Sequence, residues 1–234
     1  MKLEVVRNNP AFKTITFTLS DTTPAFANLI RKSILDDVPT LAIEYVTFNK
    51  NSSVLYDEML AHRLGLIPLT TDLSSYQFKG DDELSALNSV KLTLQAKGPC
   101  TVYAKDLKSQ DPKIVPVYEN TPIVKLLEGQ EIDIEATAIL GTGKEHAKWS
   151  PGHAYYHYQP TIKKGEGPAG TIVGSKVVKD DSIPYSFETQ EDAEHSDKNF
   201  VFTLESFGQL EPKEILEQAI ALNKEKLDAF IKLL

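Results

Sequence analysis

Beyond Pro212 the chain reads as one helix of about 22 residues, roughly 33 Å long at ~1.5 Å per residue. Ile215, Leu216, Ala219, Ile220, Leu227, Phe230, Ile231 and Leu234 lie on its apolar stripe, which only Asn223 interrupts. A small two-layer domain rarely covers so long a stripe by itself. Each Leu or Ile buried is worth ~1.5–3 kcal/mol, and several left exposed form an association-prone patch. Two readings fit this pattern: a helix folded back on its own sheet, or a surface for a helical partner. The spacing 216, 220, 223, 227 resembles a coiled-coil seam over about two heptads, too few to decide between them.

The rest of the chain alternates between strand and helix signals. Residues 3–6 and 12–19 predict two strands around the turn signal Asn8-Asn9-Pro10. Thr22 or Thr23 can cap a first helix, with Pro24 in its first turn. Phe26, Leu29, Ile30 and Ile34 form its stripe, Asn28 and Lys32 point away from Ile30, and Arg31 lies on the flank. Residues 41–50 predict a strand, and residues 56–64 a short helix with acids at its start and Gly65 as its stop. Residues 70–88 are polar and loop-like. The clean alternation at Val90, Leu92, Leu94 and Ala96 predicts a half-buried strand. Further strands are expected at 101–105, 131–140, 154–159 and 200–206. Residues 161–198 mix Gly, Pro and charge, with a weak strand pattern at 171–178, and suit a mobile insertion.

Composition excludes several functions. The 234 residues carry a formal net charge of −8 and no dense Lys/Arg run. That argues against a main role in gripping duplex DNA, which needs a basic face. No ~18-residue apolar run suits a membrane span, and the first ten residues lack the apolar stretch of a signal peptide. A cytoplasmic protein is expected, or a nuclear one where the organism has a nucleus. Cys100 is the single cysteine. It cannot form an internal disulfide, a Cys-rich zinc site or an iron–sulfur cluster. It reads as a small, partly buried side chain after Gly98-Pro99.

Four blocks then give a family resemblance. They are FANLIRKSILDDVPTLAIEYV (26–46), VLYDEMLAHRLGLIPL (54–69), GKEHAKWSP (143–151) and FVFTLESFGQLEPKEIL (200–216). In this order they resemble the D-type subunit family of archaeal DNA-directed RNA polymerase and its eukaryotic counterpart, the third-largest polymerase II subunit. The N-terminal region of the bacterial alpha subunit is a more distant relative. The resemblance implies an α+β fold: a split dimerisation domain, an antiparallel sheet with two packing helices, carrying an inserted mainly-β domain. The implied parts are 1–46, 47–149 and 150–234, with 161–198 a shortened loop.

By resemblance the chain is a non-catalytic assembly subunit. It pairs with the small subunit L and forms a platform for the large catalytic subunits, alongside other small subunits. Nucleic acid is met only through the complex. The implied small-subunit interface is Phe26, Leu29, Ile30, Ile34, Leu216, Ile220, Leu227, Phe230 and Ile231. The implied large-subunit contacts are Arg31, Lys32, His62 and Arg63. Arg31 weighs more than Lys32, because only a guanidinium bonds a carboxylate bidentately. Family members often carry Arg-Arg here, so Lys32 is a departure. Many archaeal relatives place an iron–sulfur domain where 161–198 stands, and eukaryotic relatives hold zinc in the middle domain. With one cysteine, neither cofactor is expected.

Four other readings bear on function. His146, His153 and His157 with Glu145 have the ligand types of a zinc site. Yet 154–158 reads as a strand, where positions four apart lie ~13 Å from each other. His62 as a general base lacks an accompanying nucleophile or orienting carboxylate. Lys144, His146 and Lys148 make only a thin basic footprint for direct nucleic-acid binding. A generic interaction module outside transcription would be told apart by its good behaviour without a partner.

Overall fold

Eight residues at the start of the chain, β1 (Lys2–Asn9), turn back through Pro10–Phe12 into β2 (Thr14–Ser20), with Lys13 in the left-handed region at φ 49°. The computed structural model describes residues 1–80, 82–162 and 193–233. It contains three α-helices and ten strands among those residues: α1 (Pro24–Asp36), β3 (Thr40–Asn51), α2 (Asp57–Gly65), β4 (Ser89–Lys97), β5 (Cys100–Tyr103), β6 (Lys108–Ser109), β7 (Pro122–Leu126), β8 (Glu131–Gly141), β9 (Gly152–Ile162), β10 (Ala193–Ser206) and α3 (Pro212–Ile231). The fold is α+β with antiparallel pairing. No described helix is long and apolar enough to cross a membrane.

The chain divides into two compact units, Met1–Arg31 with Ala154–Glu205, and Lys32–His153 with Ser206–Leu234. The first holds a four-stranded sheet in the order β1-β2-β10-β9. Alternation does the work here: Ile15, Phe17 and Leu19 of β2 and Phe200, Phe202 and Leu204 of β10 are all buried. Phe17 and Phe202 are register partners and stack with centroids 5.0 Å apart. Thr23 caps α1 as the sequence suggests, its Oγ1 accepting the Phe26 N–H at 3.3 Å.

The second unit carries the order β3-β8-β4-β6 and the separate pair β5-β7. Val90, Leu92 and Leu94 of β4 and Ile132, Ile134, Ala136 and Ala138 of β8 are buried together with Leu41, Ile43, Leu60 and Leu64. The second half of α1 meets α3 in this unit. Ser33 Oγ donates to the Ala219 carbonyl at 3.3 Å, and Lys226 pairs with Asp37 at 2.6 Å.

Several expectations are corrected. β10 begins at Ala193 and β9 runs to Ile162, so the expected 161–198 loop loses both ends to strands. The weak strand pattern at 171–178 lies outside the described residues. β7 escapes the sequence reading because PIVKL is short, opens on Pro and lacks a period-two pattern; β6 has only two residues. Gly65 does not stop α2 by a left-handed turn. It lies within the helix, where a Cβ would sit 3.4 Å from the Ile43 carbonyl oxygen. The helix does end at Gly65, where the sequence reading places its stop, but through a right-handed cap at Leu66. Cys100 is exposed, not partly buried.

Candidate partner-docking surfaces

The apolar stripe of α3 has two fates along its length. Ile215, Leu216 and Ala219 are buried in the chain's own interior, and so is Asn223, whose Nδ2 donates back to the Ala219 carbonyl at 2.9 Å. Ile220, Leu227, Phe230 and Ile231 are exposed to 45, 55, 60 and 64%. At ~100° per residue, Leu216, Asn223, Leu227 and Phe230 share one ~60° sector of the helix. Beyond Asn223, position along the axis therefore decides exposure, whereas Ile220, at the edge of the buried face, is exposed by its direction. The last two turns have no cover among the described residues.

On α1 the buried face is Ala27, Ile30, Ser33 and Ile34, while Phe26 is half-buried and Leu29 is exposed. Ile30, Ile34 and Leu216 are thus core residues within this chain. The serine at 33 interrupts the apolar pattern, which is why the sequence reading places Leu29 on the stripe instead. Arg31 is half-buried, and its Nε and Nη2 both donate to Asn28 Oδ1, at 3.2 and 2.8 Å. Lys32 is exposed and forms an i,i+4 pair with Asp36 at 3.7 Å.

His62 and Arg63 sit in the last turn of α2 and separate in role. His62 is exposed. Arg63 reaches across to β7, where Nε donates to the Ile123 carbonyl at 2.8 Å and Nη2 to the Pro122 carbonyl at 2.6 Å. One guanidinium thereby fastens α2 to two successive peptide oxygens of a short strand.

The segment 142–150 is the feature that sequence reasoning misjudges most. Lys144, Glu145 and His146 are exposed, whereas Lys148 and Trp149 turn inward. Lys148 Nζ donates to the Ile43 carbonyl at 3.0 Å, pairs with Glu44, and lies 4.3 Å from the centre of the Trp149 ring. Trp149 is buried, its Nε1 donates to the Ile139 carbonyl at 3.2 Å, and its own carbonyl accepts Thr40 Oγ1 at 2.7 Å. A Cβ on Gly141 would meet the Trp149 ring at 2.4 Å, and one on Gly143 would meet the Leu35 oxygen at 1.9 Å. The segment clamps the end of α1 and the facing ends of β3 and β8. The block GKEHAKWSP with two nearby glycines was the available signal, and burial of its tryptophan the missing fact.

The histidines are dispersed in role. His146 Nδ1 accepts the Lys148 N–H at 3.0 Å and its ring meets Trp149 edge-on. His153 and His157 lie on one strand, β9. Among the described residues no three His, Cys, Asp or Glu side chains gather where they could hold a metal ion.

The largest electrostatic perturbations lie in the polar loops of the second unit. Hydrogen bonds from Ser74, Lys113 and Ser75 hold the Asp72 carboxyl well below its usual range. Burial, then the hydrogen bond to Asp111 at 2.7 Å, pushes the Tyr76 hydroxyl up. Together these groups tie residues 72–76 to 111–113. They form a fastening between two loops.

Comparison with known proteins decides what kind of chain carries these surfaces. The family model for the RNA polymerase Rpb3/RpoA insert domain matches residues 46–153. DNA-directed RNA polymerase subunit Rpo3 of Pyrococcus furiosus is 39% identical over 244 aligned residues, covering 93% of this chain and 91% of that protein. The chain belongs to the Rpo3 family of DNA-directed RNA polymerase subunits. The Rpo3 of Methanosarcina acetivorans is also 39% identical, covering 93% of both chains, and that of Pyrobaculum aerophilum is 41% identical over 88% of this chain and 86% of its own. The four sequence blocks agree with this at the level of an archaeal polymerase subunit. An Rpo3-family chain is one part of a nucleotidyltransferase complex, so its exposed apolar surfaces belong to a molecule built to sit among other subunits.

Proposed function

We propose that this chain is a non-catalytic scaffold of DNA-directed RNA polymerase, which pairs with the small subunit L and presents a platform for the large catalytic subunits. The observation that carries this reading is the uncovered end of α3. Large apolar side chains left bare there favour association with a second apolar surface, at ~1.5–3 kcal/mol for each one fully covered. Leu29 of α1 and Ile220, Leu227, Phe230 and Ile231 of α3 are the side chains available to L. Phe26 contributes its exposed part, while Ile30, Ile34 and Leu216 support the helices from beneath.

In this reading the split dimerisation domain comprises 1–46 and 150–234, and 47–149 is the inserted domain. Lys32, His62 and Arg63 are the exposed large-subunit contacts. Arg31 joins them through the guanidinium nitrogen its Asn28 bonds do not use. Arg63 holds β7 through Nε and Nη2 and keeps Nη1 outside those two bonds. Phosphodiester chemistry and its metal belong to the large subunits, and this chain carries neither zinc nor an iron–sulfur cluster, having Cys100 as its one thiol.

Co-expression with subunit L, followed by size-exclusion chromatography, light scattering and metal analysis, tests the proposal. A metal-free 1:1 complex is expected, with the chain alone self-associating. A well-behaved monomer indifferent to L would overturn it.

A further inference from the structure

A second apolar surface lies apart from α3, in the same unit. Val54 and Leu55, the last turn of α2 and strand β7 enclose an open groove of ≈ 490 Å³, within the range of clefts that seat ligands or partner side chains. Leu55 is half-buried and Ile123 fully buried, giving an apolar floor. Val54 and Leu127 rise at the rim, 69 and 53% exposed. The charged residues that line it are Arg63 and Lys125, with no carboxylate, although the chain as a whole is strongly acidic. The two bonds to β7 hold the Arg63 guanidinium in place and leave Nη1 outside them. A cation fixed in advance loses little side-chain freedom when it binds an anion.

We propose that this groove docks a segment of another polymerase subunit in which an apolar anchor is flanked by carboxylates. The anchor fills the space between Val54 and Leu127 over Ile123. The carboxylates meet Arg63 and Lys125. A basic segment is disfavoured by the same two cations, and so the charge pattern gives selectivity as well as attraction. The inference rests on the chain working within assembled polymerase, as proposed above.

The test uses whole polymerase purified through another subunit, with Leu127 of this chain replaced by photo-crosslinking benzoylphenylalanine. Irradiation and peptide mapping should show a crosslink to another subunit, at a segment with Asp or Glu next to apolar residues. Val54→Asp should lower the crosslink yield about tenfold, because it places a charge against the anchor. Lys125→Glu should lower it about threefold, as a reversed rim charge. Both positions are exposed, so neither variant disturbs the core. Polymerase that contains this chain but yields no crosslink overturns the inference and leaves the scaffold reading standing. So does a crosslink to nucleic acid, to a second copy of the chain, or to a segment without carboxylates. Polymerase that lacks the chain altogether overturns both.

Discussion

The segment 142–150 and the last two turns of α3 make opposite use of distinctive residues. In the first, a lysine, a tryptophan, a histidine and two nearby glycines look like material for binding something. The Lys148 ammonium and the Trp149 indole turn inward onto the chain's own carbonyls, Gly141 and Gly143 admit close packing, and His146, though exposed, accepts the Lys148 N–H. In the second, Leu227, Phe230 and Ile231 look like ordinary core residues, and they stand exposed. A distinctive sequence block therefore marks constraint without saying which way the constraint faces. Polar residues can be constrained by the interior, and apolar ones by a partner.

The sharpest way to break this contrast is Trp149→Ala. Removing a buried indole that also carries a hydrogen bond should destabilise the fold by ~3–5 kcal/mol, measured by urea unfolding of the complex with L. A loss below ~1 kcal/mol would show that the clamp is ornamental. Next comes Leu227→Asp. The side chain is more than half exposed, so the fold should change by less than ~0.5 kcal/mol, whereas binding to L should weaken by ~2 kcal/mol or more, about thirtyfold, as expected at an interface anchor. Titration calorimetry or fluorescence anisotropy reads this, and unchanged affinity would detach α3 from the interface. Leu216→Asp is no substitute, because Leu216 is buried within the chain and its loss reports on folding. The smallest effect belongs to Lys32→Ala. Its pair with Asp36 is 60 and 39% exposed, so stability should shift by at most ~0.5 kcal/mol. Any clear loss of large-subunit recruitment in that variant would therefore reflect contact and not fold.

Much of the secondary structure is legible from periodicity alone. β2, β4 and β8 alternate cleanly, and α1 begins at its threonine cap followed by proline. Legibility fails where pattern is short or compensated. β7 has five residues and no alternation, and it is held in part by Arg63, a side chain some sixty residues away in sequence. Gly65 marks the end of α2 as read, but the cap that follows it is right-handed, a geometry the sequence does not reveal. Of the proposed interface residues, the sequence identifies the apolar set on α1 and α3, and cannot divide it into Ile30, Ile34 and Leu216 inside and Leu29, Leu227, Phe230 and Ile231 outside.

The sequence by itself determined the strands and helices with strong periods, the family and the lack of thiols for a cluster. These follow from local spacing and from the inventory of side chains, which need no three-dimensional context. Tertiary structure alone decided that Trp149 and Lys148 fasten onto β3 and β8 while Gly143 and Lys144 meet the end of α1, that Arg63 holds β7, and that among the described residues the cover of α3 stops beyond Asn223. Each depends on groups from distant parts of the chain meeting within a few ångströms, and burial is a property of that meeting and not of any residue alone.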